Sequence, residues 1–395
     1  MSENKVKAQF FRRPRYFKDF QCMGGSCPMS CCLIWSVDWT EQEIERLKNA
    51  ECSEHLRMLV ENSFGEVTDA PGKFRIIMDS KKRCPFLTED NFCLIQRELG
   101  AEYLSYTCTV YPRNALFCGS TVMNYCNLSC YRVLDTLCND KDCMILENYK
   151  PVHKKAGKVS MDSEADILSH PEFKYRHQLL EFFYEIISDE SRSLETCVTL
   201  GAVAAQNLAK NISSGKINMI PENIASLKKA LKDPKQTEKL EALKPNYSVK
   251  LWFAKKLNEI VLKTNMINLI SENDLIIADK YDEGIRNFNA AFAERPFALR
   301  NIALNLLLEL KMPFRIKDTG IFENYCYYAA AIASVKLSAA VSYNIQSLNP
   351  EKTFKSTVAY ISRFFAHNDG NVKLIVDLFK ELNCMSPAYI ALIVK

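Results

Sequence analysis

The sequence predicts a mainly α protein in two parts: a small irregular cysteine-rich metal-binding domain over residues 1–155, followed by an all-helical domain over residues 156–395. Three observations predict this. At 395 residues the chain is longer than one ordinary hydrophobic core accommodates. Thirteen of its sixteen cysteines fall between Cys22 and Cys143. Beyond residue 160 apolar residues recur at about 3.6 positions, with almost no strand-like alternation.

The elements follow in order. Residues 1–21 read as an extended, flexible, solvated arm, the most basic segment of the chain, with Lys5, Lys7, Arg12, Arg13, Arg15 and Lys18. Docking onto an acidic protein surface is the sharper alternative for that arm. Gly24-Gly25 gives the backbone the positive φ that a loop wrapping a metal centre needs. Leu33–Trp39 is a short strand or packed connector. Thr40-Glu41-Gln42-Glu43 is a capping box opening a helix to about Ala50. A helix near Glu54–Glu61, a Pro71-Gly72 turn and a strand at Lys73–Met78 come next. Leu94–Leu99 is helical and stops at Gly100, and Ala101–Thr107 forms another short helix before Pro112. Residues 115–129 form a hairpin turning at Gly119-Ser120. Tyr131–Leu137 is helical, and Asn139–Lys158 reads as a polar linker.

In the second half, Phe173, Leu180, Phe183, Ile186 and Ile187 mark one amphipathic helix. Further helices are expected at Leu200–Leu208, Pro221–Leu231, Leu251–Ile270, Leu275–Phe288, Phe297–Leu310, Phe322–Ile345, Phe354–Phe365 and Val372–Leu382. The apolar run around Ala329–Ala340 is interrupted by Lys336, which fits a buried helix and not a membrane span.

Composition excludes several classes. Apolar content of 48% and charged content of 25% are those of a folded globular chain. A net charge of +4, with acids and bases interspersed, gives no support for nucleic acid as a partner. No apolar signal segment opens the chain and no charge-free run is long enough to span a bilayer, so a cytoplasmic protein without membrane partners is expected.

That compartment decides how the cysteines are read. Cytosolic thiols stay reduced, so metal ligation is favoured over a disulfide framework. The candidate ligands are Cys22, Cys27, Cys31, Cys32, Cys84, Cys93, Cys108 and Cys130. Soft sulfurs at short spacings in a turn-rich loop suit an iron–sulfur cluster, and Pro85 after Cys84 is of the kind that recurs at such ligands. Zinc is the other candidate, although no paired Cys-x2-Cys knuckle occurs. Eight thiols exceed the four ligands of one cluster. Cys52, Cys118, Cys126, Cys138 and Cys143 are read as structural. No dinucleotide or phosphate-loop fingerprint and no nucleophile elbow is present. The three-cysteine radical spacing fails at Ile34. His55, His153, His170, His177 and His367 are read as surface or helix residues. Glu323-Asn324-Tyr325-Cys326-Tyr327-Tyr328 is either a packing face or the lining of an amine pocket.

The chain resembles the flagellin lysine-N-methylase family. The resemblance is carried by Phe20-x-Cys22, Gly25-Ser26-Cys27-Pro28-Met29-x-Cys31-Cys32, Trp35, Cys84-Pro85-Phe86-Leu87 and Cys93-x-Ile95-Gln96. It continues through Leu99-Gly100, Cys108, Tyr111-Pro112-Arg113, Ser129-Cys130 and Glu323-Asn324-Tyr325. The resemblance implies methyl transfer from S-adenosylmethionine to lysine ε-amines of flagellin in the cytoplasm before export, by an enzyme carrying an iron–sulfur cluster of the 4Fe-4S kind. It names no catalytic base. A non-enzymatic iron–sulfur or zinc-binding electron-transfer or adaptor protein is the alternative reading of the same thiols.

Overall fold

The computed structural model describes residues 10–33, 35–68, 70, 72–150, 160–161, 171–263, 278–344 and 348–395. Helices dominate, as expected, and no described helix is long and apolar enough to cross a membrane. Two sheets lie in the first 161 residues. The larger has the order β7-β1-β6-β5-β8, made of β1 (Phe10–Pro14), β5 (Arg113–Cys118), β6 (Thr121–Cys126), β7 (Leu146–Tyr149) and β8 (Ser160–Met161). The smaller has the order β2-β4-β3, made of β2 (Asp38–Thr40), β3 (Phe64–Glu66) and β4 (Lys73–Ile76).

The basic arm is not a solvated tail over its described part. Strand β1 lies inside the larger sheet, parallel to β6 with Arg12 opposite Met123, and antiparallel to β7 with Arg13 opposite Glu147. Arg12 pairs with Glu181 and Arg13 with Glu147, so its charge is neutralised within the fold. The expected linker is also structured over its first part. Cys143 and Met144 are buried and β7 follows, while residues 151–159 lie outside the described set. The expected hairpin is β5–β6, turning at Gly119 with φ +65°, a left-handed conformation that favours glycine.

Local signals set the remaining small elements. Thr40 caps the helix Glu41–Lys48 with both arms of a capping box, and Ser53 caps Glu54–Asn62. These helices, the smaller sheet and the helix Leu94–Leu99 enclose Trp39, Leu47, Leu56, Phe86 and Ile95 in a satellite core.

A second, larger core runs from Tyr16 through Met123 and Leu134 to Val394, and so joins the five-stranded sheet to the helices. Its axis is the helix Ile321–Asn344. Tyr325, Tyr327 and Tyr328 are buried there and donate to the carbonyls of Val198, Phe365 and Ala303 at 2.9, 2.8 and 3.1 Å. The aromatic segment is therefore a packing face with satisfied hydroxyls. Lys336 is buried too, paired with Glu195 and bonded to the carbonyl of Val394. Helix Ala278–Ala291 approaches this axis closely at Gly284, where an added Cβ would stand 2.0 Å from the carbonyl oxygen of Ala340.

Helix Ala298–Glu309 presents Asn301, Asn305 and Glu309, spaced four residues apart, along one buried stripe. Asn301 donates to the carbonyls of Leu137 (3.1 Å) and Asp140 (3.0 Å). Asn305 donates to the carbonyl of Cys126 (3.0 Å) and accepts from the Tyr16 hydroxyl. Glu309 accepts from the backbone N–H of Leu128 at 3.1 Å. This stripe holds the chain around Cys130 against the helices. The helices Pro234–Glu241 and Pro387–Val394 were not expected from the sequence.

Candidate metal centre and adjoining cleft

Each expected thiol sits at the end of an element or in a loop pinned by backbone pairing. Gly24 takes φ +57°, and a Cβ on Gly25 would stand 2.7 Å from the carbonyl oxygen of Asp90. The Cys22–Cys32 loop thus presses on the turn before Cys93. The N–H of Cys84 donates to the carbonyl of Cys32 at 2.8 Å, beside a Leu33–Arg83 bridge. Cys93 is bridged to Leu87 and precedes the helix Leu94–Leu99. Cys108 lies in the helix Tyr106–Val110, capped by Ser105, and Cys130 precedes the helix Tyr131–Asn139.

These placements gather all eight thiols into one electrostatic neighbourhood. Cys32, Cys93 and Cys108 act on Cys84, Cys32 and Cys93 act on Cys108, and Cys32 acts on Cys93. Cys22 acts on Cys27 and Cys130, Cys27 acts on Cys130, and Cys32 acts on Cys27. Cys31 stands between the groups, hydrogen-bonded to Cys32 and facing Cys108 and Cys130. Burial, reinforced by the neighbouring thiols, pushes Cys84 and Cys93 up, and Cys108 and Cys130 up to about 12. Cys32 alone goes down, to about 7, because the Cys31 thiol donates to its sulfur.

Among the described residues no group of three or more His, Cys, Asp or Glu side chains has the geometry to hold a metal ion. The donor chemistry nevertheless fits a thiophilic centre. Crowded sulfurs that burial keeps protonated are what a cation or an iron–sulfur core ionises on binding. Cys118, Cys126, Cys138 and Cys143 are fully buried in the large core, as expected of structural cysteines, and Cys52 is partly buried against the satellite core.

A cleft of about 300 Å³ adjoins the thiols, lined by Trp35, Tyr111, Tyr125, Asn127, Glu309 and His367 among others. Trp35 meets Tyr111 and His367 edge to face, with centroids 5.0 and 4.8 Å apart. Ser129, the neighbour of Cys130, links the hydroxyl of Tyr111 (3.1 Å) to Nε2 of His367 (3.0 Å). Arg363 lies over the Trp35 ring at 5.0 Å, within the field of Cys31 and Cys130. Burial raises the Tyr111 phenol well above its ordinary range, and Cys130 adds to the rise.

Sequence reasoning did not single out Tyr125, Asn127, Glu309 or His367 as lining a site. His367 was read as a surface or helix residue, yet it lines the cleft. Glu309 ends a leucine-rich run and carried no motif. The one available signal was an acid at the apolar end of a helix. Its carboxyl is 1% exposed and burial raises it to about 7. His55 lies on the helix Glu54–Asn62 and His177 pairs with Glu181 at 3.5 Å, while His153 and His170 lie outside the described residues.

Residues 180–393, more than half of the chain, match the model of the FliB lysine N-methylase C-terminal domain. The lysine-N-methylases of Salmonella choleraesuis and Salmonella typhimurium are each 28% identical over 142 residues, covering 34% of this chain and 33% of theirs. The flagellar biosynthetic protein FliU of Salmonella muenchen is 28% identical over 146 residues, covering 35% of this chain and 82% of its own. The chain thus spans about a third of the length of the two curated lysine-N-methylases it matches. No solved structure matches. By its helical half, the chain belongs to the FliB lysine N-methylase family.

Proposed function

We propose that the protein transfers methyl groups from S-adenosylmethionine to lysine ε-amines of flagellin in the cytoplasm. What supports the reading is the family match together with one observation: Cys31, within the field of Cys32, Cys108 and Cys130, also acts on Tyr111 of an aromatic cleft that is lined in part by the buried Glu309.

The transfer forms an N–C bond from the amine lone pair as the S–C bond of the sulfonium breaks, leaving a neutral thioether. The amine must first give up its proton to solvent, and the transfer then places a positive charge on nitrogen as the sulfonium loses its own. Trp35 and Tyr111, which line the cleft, would present aromatic surface to the cationic reactant. An iron–sulfur cluster would draw its ligands from Cys22, Cys27, Cys31, Cys32, Cys84, Cys93, Cys108 and Cys130. When bound, such a cluster supplies Lewis-acid and electron-transfer chemistry at the edge of the cleft.

The test is anaerobic purification followed by incubation with flagellin and S-adenosylmethionine. Methyl-lysine in flagellin by mass spectrometry, with iron and sulfide in the protein and absorption at about 350–450 nm, is the expected result. Flagellin that stays unmodified with an iron-loaded protein would sink the enzymatic reading. A colourless protein loaded only with zinc would sink the iron–sulfur assignment.

A further inference from the structure

The cleft beside the thiols contains a carboxylate that is half used. Oε1 of Glu309 accepts from the N–H of Leu128 (3.1 Å) and from the hydroxyl of Ser362 (2.7 Å). Its Oε2 is buried and has no partner. An unpaired buried carboxylate oxygen is costly, and such groups are retained where something else comes to meet them. Glu309 lines the cleft, which is where a partner has room to arrive.

The surroundings say what kind of partner fits. Asp369, another acid lining the cleft, is already engaged by Arg315 at 2.8 Å. The guanidinium of Arg113 is drawn away, donating to the carbonyl of Phe20 (3.1 Å) and stacking on its ring at 4.9 Å. Trp35, Tyr111 and Tyr125 supply aromatic surface, which attracts cations. A neutral hydroxyl would satisfy Oε2 as a hydrogen bond only, whereas an ammonium also meets the carboxylate's charge.

We propose that Oε2 of Glu309 binds a primary ammonium group in this cleft. The inference rests on the methyl-transfer reading for the identity of that group, which has two sources there: the ε-ammonium of an incoming lysine, or the α-ammonium of the methyl donor's amino-acid end.

Calorimetric titration of the full chain with Nα-acetyl-lysine methylamide and, separately, with S-adenosylhomocysteine tests the site. One of the two is expected to bind, with its Kd rising ten- to a hundredfold in Glu309→Gln. The lysine probe weakened identifies the acceptor's amine, and the adenosyl probe weakened identifies the donor's. Glu309→Asp keeps the charge but withdraws it by one methylene, and is expected to fall between wild type and Glu309→Gln. This guards against a variant that merely misfolds, as does an unchanged circular dichroism spectrum. Equal binding by wild type and Glu309→Gln, or no binding of either probe to wild type, overturns the proposal. The enzymatic reading fails separately: a chain that binds the amine through Glu309 but never methylates refutes only the enzyme. Undiminished methylation by Glu309→Gln refutes only this site.

Discussion

The burial of Glu309 makes a definite demand on how stability varies with pH. An ordinary glutamate carboxyl titrates near 4.5, and burial raises this one to about 7. With no cation at Oε2, the folded chain therefore holds a proton on Glu309 between about pH 4.5 and pH 7 that the unfolded chain has released, and a bound ammonium would displace it. The contribution of that proton is fully present below the ordinary value and is lost as pH rises through about 7. A displacement of this size corresponds to about 3 kcal/mol between pH 4 and pH 8. Tyr16 and Cys126, which face the group, are pushed upward by burial and stay neutral across that window. In Glu309→Gln the amide oxygen can still accept from Leu128 and Ser362, while the amide nitrogen lacks a partner. The variant should be about 1 kcal/mol less stable than wild type at pH 5, and about 2 kcal/mol more stable at pH 8. Urea unfolding of both proteins at pH 5 and pH 8 measures this, since titrations common to the two cancel in the comparison. Parallel stability profiles, with no crossing between those pH values, would refute the claim that Glu309 is held protonated by its surroundings.

Other expectations follow from the packing and the thiols. Cys31→Ala should abolish the iron–sulfur chromophore of anaerobically purified protein and Cys384→Ala should leave it, because Cys31 lies among the gathered thiols whereas Cys384 is buried in the helical core near Phe379; equal spectra contradict the assignment. Gly284→Ala gains about 1 kcal/mol of helix propensity but sets a methyl against the carbonyl of Ala340, an overpacking cost of about 1–3 kcal/mol. The clash should prevail and lower the melting temperature. Lys336→Met strands the Glu195 carboxylate and should cost about 3–5 kcal/mol by denaturant unfolding, with a neutral outcome showing that the pair carries little.

What the sequence revealed was decided locally, and what it hid was decided at a distance. The capping box at Thr40 and Glu43, the turn at Gly119 and the stop at Gly100 (φ +93°) depend on neighbours within a few residues, so their chemistry is visible in a short window. Strand β1 was misread because Arg12, Arg13 and Pro14 suggest a solvated arm, while its partners Thr121–Met123 and Leu146–Tyr149 lie more than a hundred residues onward. The thiols stand out in the sequence because their number and spacing are improbable for packing alone. The cleft does not. Glu309 reaches Leu128 across 181 positions and His367 reaches Ser129 across 238, and no periodicity records such a meeting.

The row of Asn301, Asn305 and Glu309 has a consequence for attempts to divide the molecule. Expressed without the first 155 residues, the helices would carry two amides and an acid on an otherwise greasy flank, each stripped of its mate. Water could serve them only by wetting the wall that Tyr16 and Met123 now keep dry. Such a fragment should aggregate or pair with itself, and adding back the missing piece in trans should restore its solubility.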